Sequence, residues 1–337
     1  MSLDVSKLPR VSIAHLPTPL EFAPRLTQYL GGPQIWIKRD DCTGLAFGGN
    51  KARKLEFFLG DALEKGADAI LTMGPVQSNH VRMTAAAARK FGLECHAVLV
   101  GDSNAPRMGN FLLDQLLGLE YNLIPGSLDD LPPGLVEQEI ENYMARLAES
   151  GRKPYLVPPG GAGPLGELSY SLAAQEIEAQ SRKLRINVDY IVVPVGSQGT
   201  LSGLILGKKL LGLNANLIGI SVCVEGTAES AGLPSIEDMV KEAGKLLKAQ
   251  VEVSGDDYEL LFDYVGDGYG IPTDECISAI KLLAQKEGIL VDPTYTGKSL
   301  AGLIDLVRRG KFNKKDVVVY LHTGGGPGLF SNPAIFD

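Results

Sequence analysis

Continuously apolar segments alternate with helix-like segments along most of this 337-residue chain. This alternation limits the fold more than any other feature of the sequence. Runs such as Tyr190–Val195 and Val317–His322 consist almost entirely of apolar residues, as strands do when both faces of their sheet are buried. Strands that alternate with helices form parallel sheets with right-handed crossovers. The sequence therefore predicts an α/β fold.

The predicted strands and helices alternate along most of the chain, which contains no internal repeat and no low-complexity segment. The predicted strands are Gln34–Ile37, Ala69–Met73, His96–Val100, Tyr155–Pro158, Tyr190–Val195, Leu217–Cys223 and Val317–His322. The predicted helices are Lys51–Lys65, Ser78–Phe91, Gly109–Leu117, Gly134–Ser150, Gly166–Lys183, Thr200–Leu211, Thr273–Glu287 and Gly297–Arg308.

Length and charge narrow the class of protein. The chain is too long for one ordinary hydrophobic core, which favours two closely packed lobes. The net charge is −8, and no basic stripe offsets it, so nucleic acid is not an expected partner. No apolar run approaches the roughly 18 to 20 residues that span a bilayer, so a membrane is not expected either.

The ends of the chain and its cysteines indicate the compartment. The segment Met1–Arg10 lacks the charged-then-apolar pattern of a secretion signal. The cysteines are far apart and contain no C-x-x-C pair. They are Cys42, Cys95, Cys223 and Cys276. This spacing predicts reduced thiols in a cytoplasmic protein, with neither a metal site nor a disulfide framework.

A lysine follows two glycines at the start of a predicted helix, in the run Gly48–Glu56. The ammonium group of Lys51 at a helix N-terminus opposes the macrodipole. The pKa of this amine should therefore be lowered, which favours imine chemistry. The alternative is a solvated basic patch formed by Lys51, Arg53 and Lys54.

A second glycine-containing turn joins the strand Tyr190–Val195 to the next predicted helix. It consists of Gly196, Ser197, Gln198, Gly199 and Thr200. Such turns direct backbone N–H groups and the positive end of a helix at an anion. The spacing differs from the G-x-G-x-x-G of dinucleotide-binding proteins and from the P-loop. We therefore expect a single phosphate here, with an ordinary strand-to-helix turn as the alternative.

Polar residues at two further places could face the same ligand. Ser78 stands where a helix N-cap is expected, which is the commonest role of serine there, but Asn79 and His80 add polar groups that capping does not need. Tyr269 and Tyr295 lie in glycine-containing segments. Their hydroxyls could point at a ligand, or their rings could serve packing alone.

Taken together and in this order, the motifs resemble the D-cysteine desulfhydrase and 1-aminocyclopropane-1-carboxylate deaminase group. This group belongs to the tryptophan-synthase-β-like, fold-type II pyridoxal-phosphate enzymes. The resemblance extends over almost the whole chain. The segments that carry it are Leu16–Leu20, Lys38–Asp41, Gly48–Lys51, Gln77–His80 and His322–Gly325.

The resemblance implies an architecture and a set of partners. A larger cofactor domain would comprise residues 1–52 and 163–337, and a smaller domain of residues 53–162 would be inserted into it. Homodimers are usual in the group. The ligands would be pyridoxal 5′-phosphate and a small amino acid.

The resemblance also implies roles for individual residues. Lys51 would link the cofactor covalently and, once released, act as the general base. Asn79 would contact the cofactor ring hydroxyl, while residues 196–200 and Lys54 would hold the phosphate. Ser78, Tyr269 and Tyr295 would position the substrate carboxylate or relay protons. The residues expected along the substrate are Ser78, Asn79, His80, Tyr269 and Tyr295.

Two positions discriminate within the group. Members that open the cyclopropane ring typically carry glutamate after the tyrosine of the Tyr-x-Gly-Lys motif and leucine before the final glycine pair. This chain has Thr296 and Thr323 there, which we expect to contact the cofactor. A glutamate facing the pyridine nitrogen would keep that nitrogen protonated and strengthen the electron sink, whereas a threonine hydroxyl is a weaker partner. Thiolate leaves readily, so elimination can proceed with a weaker sink.

These residues predict a β-elimination lyase that converts D-cysteine to pyruvate, sulfide and ammonia. The rival within the group is an L-cysteate sulfo-lyase that releases sulfite, and ring opening of 1-aminocyclopropane-1-carboxylate ranks third. A protein that binds pyridoxal phosphate without catalysis is the alternative from another class. A dehydrogenase would need the dinucleotide fingerprint that the sequence lacks.

Overall fold

A computed structural model, which describes residues 3–128, 131–227 and 232–337, contains two sheets flanked by helices. The strands are β1 (Leu20–Phe22), β2 (Gln34–Arg39), β3 (Ala69–Pro75), β4 (Glu94–Gly101), β5 (Glu120–Pro125), β6 (Pro154–Leu156), β7 (Tyr190–Val195), β8 (Asn216–Ser221), β9 (Tyr258–Leu261) and β10 (Val317–His322). The helices are α1 (Pro24–Leu30), α2 (Lys51–Glu64), α3 (Asn79–Lys90), α4 (Gly109–Leu116), α5 (Leu135–Glu149), α6 (Pro164–Leu184), α7 (Gly199–Leu211), α8 (Ile236–Leu246), α9 (Asp274–Glu287) and α10 (Thr296–Arg308).

The larger sheet has the strand order β1-β2-β10-β7-β8-β9. Only the short β1 runs antiparallel to its neighbour. Val318 and Tyr320 pack into the core under α1, α9 and α10, whereas Val319 and Leu321 pack into the core under α6, α7 and α8. Successive residues of one strand point to opposite faces, so this sheet is buried on both faces. The predicted α/β fold is confirmed.

The smaller sheet is parallel throughout and has the order β5-β4-β3-β6. One face packs against α2 and α3 through residues such as Leu55 and Val81. The other face packs against α5 through Ile140 and Leu147. The two sheets therefore have separate cores, while the lobe boundaries at residues 53 and 162 stay a prediction.

Every predicted helix and strand forms with the predicted type, but two strands end earlier than expected. The run Leu217–Cys223 stops being a strand at Ser221, whose Oγ accepts a hydrogen bond from Cys223 N at 3.2 Å and so closes a local turn. The run Tyr155–Pro158 stops at Leu156, because Pro158 has no N–H to continue the ladder.

Five of these strands and α-helices were not predicted: β1, β5, β9, α1 and α8. The strand β5 lies at a sheet edge and its side chains are largely exposed or half-buried, so it lacks the apolar run of a central strand. The helix α8 did carry a signal that was missed. Ser235 Oγ caps it by accepting from Asp238 N at 3.1 Å, as a serine before an apolar stripe predicts.

The sheet topology places three loops at one edge. The strands β2, β10 and β7 are parallel neighbours, so the segments after Arg39, His322 and Val195 all leave from the same carboxyl edge. An isolated β-bridge joins Gly49 to Gly324 there, and Asn50 N donates to Thr323 O at 2.8 Å. Ligands bind at such edges in open α/β sheets.

Within the described ranges, the helices are too short or too polar for any of them to cross a bilayer.

Candidate active site

Lys51 is the first residue of α2 and lies at this carboxyl edge. Its Nζ donates to the carbonyl oxygen of Gly160 at 2.9 Å. Burial lowers the pKa of Lys51 well below its ordinary value, and the positive charge of Lys54 lowers it further. The lowered pKa was expected from the position of Lys51 at a helix N-terminus, and burial is its largest cause. An amine that is easily deprotonated is a good nucleophile and base.

Lys54 lies one helical turn further along α2 and is buried. Its Nζ approaches the same Gly160 carbonyl oxygen, at 3.3 Å. Burial lowers the pKa of Lys54 to about 8, while the nearby Glu167 carboxylate acts in the opposite direction. With Lys54 and Arg53 both buried, the alternative of a solvated basic patch is wrong.

A buried carboxyl group lies behind Lys54. Glu167 is in the first turn of α6, and its Oε1 accepts from Gly163 N at 2.8 Å. No described residue partners its other oxygen, Oε2. Burial raises the pKa of Glu167 to about 7, although Lys54 lowers it in part. Burial thus favours the uncharged form of both Lys54 and Glu167, and the attraction between their charges opposes this shift.

The predicted phosphate turn, residues 196–200, lies against these two groups. A Cβ on Gly199 would come within 2.5 Å of Glu167 Oε1 and 3.1 Å of Lys54 Nζ. Gln198 has the left-handed φ of 61° that lets the turn enter α7. Gly199 N donates to Ser197 O at 2.7 Å, so this amide is engaged within the turn.

Two further contacts tie the turn to the lysine segment. Asn50 Nδ2 donates to Thr200 Oγ1 at 3.1 Å. A Cβ on Gly160 would lie 2.4 Å from Ser197 Oγ and 3.7 Å from Lys51 Nζ, so only glycine leaves the space open. A helix N-terminus, a lysine and side-chain-free glycines meet here, beside a second lysine. This donor set fits a phosphate next to a group that reacts with an amine.

Ser78, Asn79 and His80 begin α3 in the smaller lobe. Ser78 Oγ accepts from Val81 N at 3.2 Å and is therefore the N-cap, the commoner of the roles considered for it. Asn79 is half-buried, and its Oδ1 accepts from Asn110 Nδ2 at 3.0 Å.

His80 is held within the smaller lobe. Its Nε2 pairs with Thr72 Oγ1 at 2.9 Å, and its ring lies near a Cβ placed on Gly161. Burial lowers the pKa of His80 well below its ordinary value, and Lys51 and Lys54 lower it further. The ring is therefore neutral and lies beside the lysines, and its substrate contact stays a prediction.

Tyr269 and Tyr295 do come together. Their hydroxyls hydrogen-bond to each other, and their rings meet edge to face with centroids 5.8 Å apart. Burial raises the pKa of both phenols, so both carry their protons at neutral pH. A Cβ on Gly196 would lie 3.3 Å from the Tyr295 ring, so the tyrosines line the same space as the phosphate turn.

The segment that carries Tyr269 is fixed by a buried lysine. Lys298 Nζ donates to the carbonyl oxygens of Val265 and Gly268, each at 2.7 Å. Its three N–H donors suit such carbonyl pairs. The lysine of the Tyr-x-Gly-Lys motif, Lys298, thus has a structural role, and the spacing of the motif alone does not reveal that role.

Thr296, the first residue of α10, directly follows Tyr295, and Thr323 lies beside the segment that leads into Lys51. Thr296 is fully buried, and its Oγ1 donates to Asp292 Oδ1 at 2.5 Å and accepts from Asp292 N at 2.8 Å. Asp292 also accepts from the backbone of Thr294 and Tyr295, and burial raises its pKa. Thr323 uses its carbonyl oxygen to hold Asn50. The hydroxyl of Thr296 is therefore committed to Asp292.

Sequence reasoning missed Asn50, Gly160, Glu167, Asp292 and Asn110. Asn50 directly precedes Lys51 in the run Gly48–Glu56, and this position next to the candidate lysine could have identified it. Gly160 lies in a glycine- and proline-rich run that reads as a joint between lobes. Glu167 directly follows that run, Asn110 is the second residue of a predicted helix and Asp292 directly precedes Pro293, but none of the three belongs to a motif that indicated chemistry. Only the fold brings them to the site.

Comparison with known proteins gives close relatives. A family model described as pyridoxal-phosphate dependent enzyme matches residues 11–324. A putative 1-aminocyclopropane-1-carboxylate deaminase of Pyrococcus horikoshii is 41% identical over 330 residues, which cover 97% of this chain and 94% of that protein. A D-cysteine desulfhydrase of Klebsiella pneumoniae is 41% identical over 337 residues, which cover 98% of each protein. The two relatives are equally similar to this chain but are named for different substrates.

Solved structures give the same picture. The crystal structure of an ACC deaminase homologue superposes with a TM-score of 0.87 at 40% identity, over 98% of this chain and 96% of that one. The threonine deaminase isoform 2 of Solanum lycopersicum superposes with a TM-score of 0.63 at 18% identity, over 93% of this chain and 80% of that one. The second likeness is one of fold alone.

Proposed function

Because the chain belongs to the family of pyridoxal-phosphate-dependent enzymes, we propose that it is a carbon–sulfur lyase that acts on D-cysteine and releases sulfide, pyruvate and ammonia. One observation carries the proposal. The amine of Lys51, whose pKa is lowered, shares a carbonyl oxygen with Lys54 beside the phosphate turn. Within the described residues, no carboxylate lies within ion-pair distance of Lys51 Nζ, so this amine is not held in a structural ion pair.

The residues of the site suit pyridoxal 5′-phosphate. Lys51 would form the covalent link, and Lys54 and the N-terminus of α7 would hold the phosphate. Asn79 would contact the oxygen on the ring. When bound, the cofactor supplies an electron sink for the negative charge that forms at the α-carbon of the substrate.

Side chains of this protein would carry out the proton transfers. Lys51, whose neutral form is stabilised by burial, would accept the α-proton as general base. Ser78 Oγ uses a lone pair to cap α3, which leaves its hydroxyl hydrogen for the substrate carboxylate. The neutral Tyr269–Tyr295 pair would hold a proton at the far side of the substrate, where the leaving group departs. A protein that only carried the cofactor would have no use for this arrangement.

Thr296 supports sulfur elimination over ring opening. Its hydroxyl proton is committed to Asp292, so it cannot protonate a pyridine nitrogen as an acidic side chain would. A weaker electron sink suffices when the leaving group is a thiolate and is less adequate for breaking a carbon–carbon bond. The D-cysteine desulfhydrase relative is consistent with this preference.

The direct test is to assay sulfide and sulfite in parallel from the purified holoprotein with D-cysteine, L-cysteine or L-cysteate. A fourth reaction with 1-aminocyclopropane-1-carboxylate is followed by 2-oxobutyrate formation. We expect sulfide from D-cysteine alone, and no product from Lys51→Arg, which keeps a long basic side chain but does not form the link.

The outcomes separate the candidates. Sulfite from L-cysteate without sulfide would move the enzyme to sulfo-lyase chemistry, and 2-oxobutyrate formation at a rate above that of sulfide would overturn the substrate proposal. A lysine-bound cofactor without turnover on any of these substrates would favour a non-catalytic role.

We also propose a homodimer in the cytoplasm, as the resemblance and the cysteine pattern led us to expect. Light scattering coupled to size exclusion tests the first part. A mass of one chain, 35.9 kDa, in place of twice that value would contradict it. Cell fractionation tests the second.

A further inference from the structure

Asn110, at the start of α4, is only 1% exposed. Its Nδ2 donates to two acceptors, Gln77 O at 2.9 Å and Asn79 Oδ1 at 3.0 Å. Within the described chain, its own Oδ1 has no hydrogen-bond partner. The part of this amide that the fold uses is therefore its pair of N–H donors.

These contacts fix the orientation of both amides. The carbonyl oxygen of Gln77 can only accept a hydrogen bond, so the NH₂ end of Asn110 must face it. The second N–H of that group then reaches Asn79, whose oxygen end must turn toward Asn110. The Nδ2 of Asn79 is thereby directed away from Asn110, with two N–H donors available.

The segment that presents Asn110 is itself held in place. Gln77 Oε1 accepts from Asn110 N at 2.9 Å, and Gln77 Nε2 donates to Met108 O at 3.1 Å. Gly109, with a left-handed φ of 55°, fits between Gln77 Oε1 and Pro327 O because it has no Cβ. The N-termini of α3 and α4 are thus connected by a partly buried set of hydrogen bonds.

We propose that Asn110 is a positioning residue that orients Asn79, so that Asn79 presents an N–H donor and not its oxygen to the ring oxygen of pyridoxal phosphate. This inference rests on the proposed function of the site. The ring oxygen bears negative charge, so the wrong end of the Asn79 amide would meet it with repulsion. Asn110 acts only through Asn79 and touches neither cofactor nor substrate.

A double-mutant cycle tests the proposal, with Asn110→Ala, Asn79→Ala and the double variant as holoproteins. The readouts are the dissociation constant of pyridoxal phosphate and the visible absorbance of the lysine-bound cofactor across pH. A hydrogen bond to a charged group corresponds to about a tenfold change in affinity. We therefore expect Asn110→Ala to weaken cofactor binding about five- to tenfold.

The absorbance should change in a defined direction. An N–H donor stabilises the ring oxygen as its negative charge grows, which happens when the nitrogen that joins Lys51 to the cofactor loses its proton. Removal of the donor should therefore raise the pH at which the visible spectrum changes. In the Asn79→Ala background, Asn110→Ala should cause no further change in either readout.

The matched control is Asn122→Ala in the same lobe, which removes an asparagine bonded to Glu139 and should change neither readout. If Asn110→Ala lowers the yield of folded protein, Asn110→Ser replaces it, since one hydroxyl hydrogen cannot serve both acceptors. Additive effects of the two alanine substitutions, or a wild-type spectrum in a folded Asn110 variant, would overturn the inference. A wild-type protein without a lysine-bound cofactor band would instead overturn the proposed function.

Discussion

Arg53 and Lys54 are neighbours in sequence and are both buried in α2, yet their surroundings differ completely. Arg53 donates to both carboxylate oxygens of Asp40 and to both of Glu176, at 2.8 to 3.0 Å. Within the described chain, Lys54 makes no ion pair and shares a backbone carbonyl with Lys51. One helix thus has a saturated cation on one face and free amines on another.

The paired cluster behaves as structure. Asp40 also accepts from the hydroxyls of Thr18 and Tyr170. Burial alone would raise the pKa of Asp40, but Arg53 holds it below its ordinary value. Burial alone would likewise lower the pKa of Arg53, but Asp40 and Glu176 raise it. The guanidinium group and the carboxylates of this cluster therefore stabilise one another in their charged forms.

The amines behave in the opposite way. Burial lowers the pKa of Lys51 and Lys54, and no carboxylate is close enough to Lys51 to reverse the shift. Buried cations therefore differ in function according to whether an anion pairs with them. Paired charges hold the fold, whereas unpaired amines are available for a phosphate or for reaction.

The largest expected effect is on Lys51. We expect Lys51→Met to abolish sulfide release from D-cysteine, by at least about 10³-fold, because the covalent link and the base are both lost. The apoprotein should unfold at the same temperature or higher, since an unpaired amine is removed. Calorimetry and the sulfide assay together check this. An apoprotein that unfolds well below the wild type would place Lys51 among the structural cations.

Arg53→Met, in contrast, should lower the free energy of unfolding. It leaves Asp40 and Glu176 without their main partner, and removal of one side of a buried ion pair costs about 3 to 5 kcal/mol. Denaturant unfolding of the apoprotein measures this loss. Arg39→Met is the matched control, because Arg39 pairs with Glu21 and Asp41 nearer the surface and exposed pairs contribute about 0 to 1 kcal/mol. Equal losses in the two variants would contradict the distinction between the clusters.

We expect the affinity for the cofactor to depend on pH through the protonation state of Lys54. Its pKa of about 8 means that it is mostly protonated at pH 7 and neutral at pH 9. Glu167, with a pKa of about 7, gains negative charge over the same range. A phosphate dianion should therefore bind more weakly as pH rises from 7 to 9, by about tenfold for one lost charge.

The probe for this prediction is 4′-deoxypyridoxine 5′-phosphate, which lacks the aldehyde and so isolates binding from the link to Lys51. Lys54→Met should bind it more weakly at pH 7 and lose most of the pH dependence. Lys209→Met, at a lysine paired with Asp257 near the surface, is the control. Affinity that rises with pH in the wild type would contradict the assignment of Lys54 to the phosphate.

The smallest effect concerns substrate choice. The double variant Thr296→Glu, Thr323→Leu should gain measurable 2-oxobutyrate formation from 1-aminocyclopropane-1-carboxylate and lose part of its sulfide release. The gain should be small, because the introduced carboxylate takes the place of a hydroxyl that donates to Asp292. Two buried carboxyl groups would then compete for protons. No gain at all would mean that these positions do not set the leaving group.

The sequence predicted much of the fold because the central strands are apolar on both faces. The runs Tyr190–Val195 and Val317–His322 coincide with β7 and β10 to the residue. Edge strands such as β5 were not predicted, because solvent covers much of their surface and their sequences therefore lack a continuous apolar run. The lysines, the tyrosines and the phosphate turn were predicted for a similar reason, since each lies in a local motif.

The α/β class could be predicted from the periodicity of the chain, and the pyridoxal-phosphate family and the candidate nucleophile Lys51 from the resemblance of its short motifs, because both are local properties of a sequence. Tertiary packing was needed to show that Arg53 is paired with carboxylates while Lys54 is not, that the Thr296 hydroxyl donates to Asp292, and that Asn110 donates to Asn79. These relations join residues from 4 to 123 positions apart. Their strength depends on burial and on the direction of each donor, and these are settled when the two sheets and their helices pack.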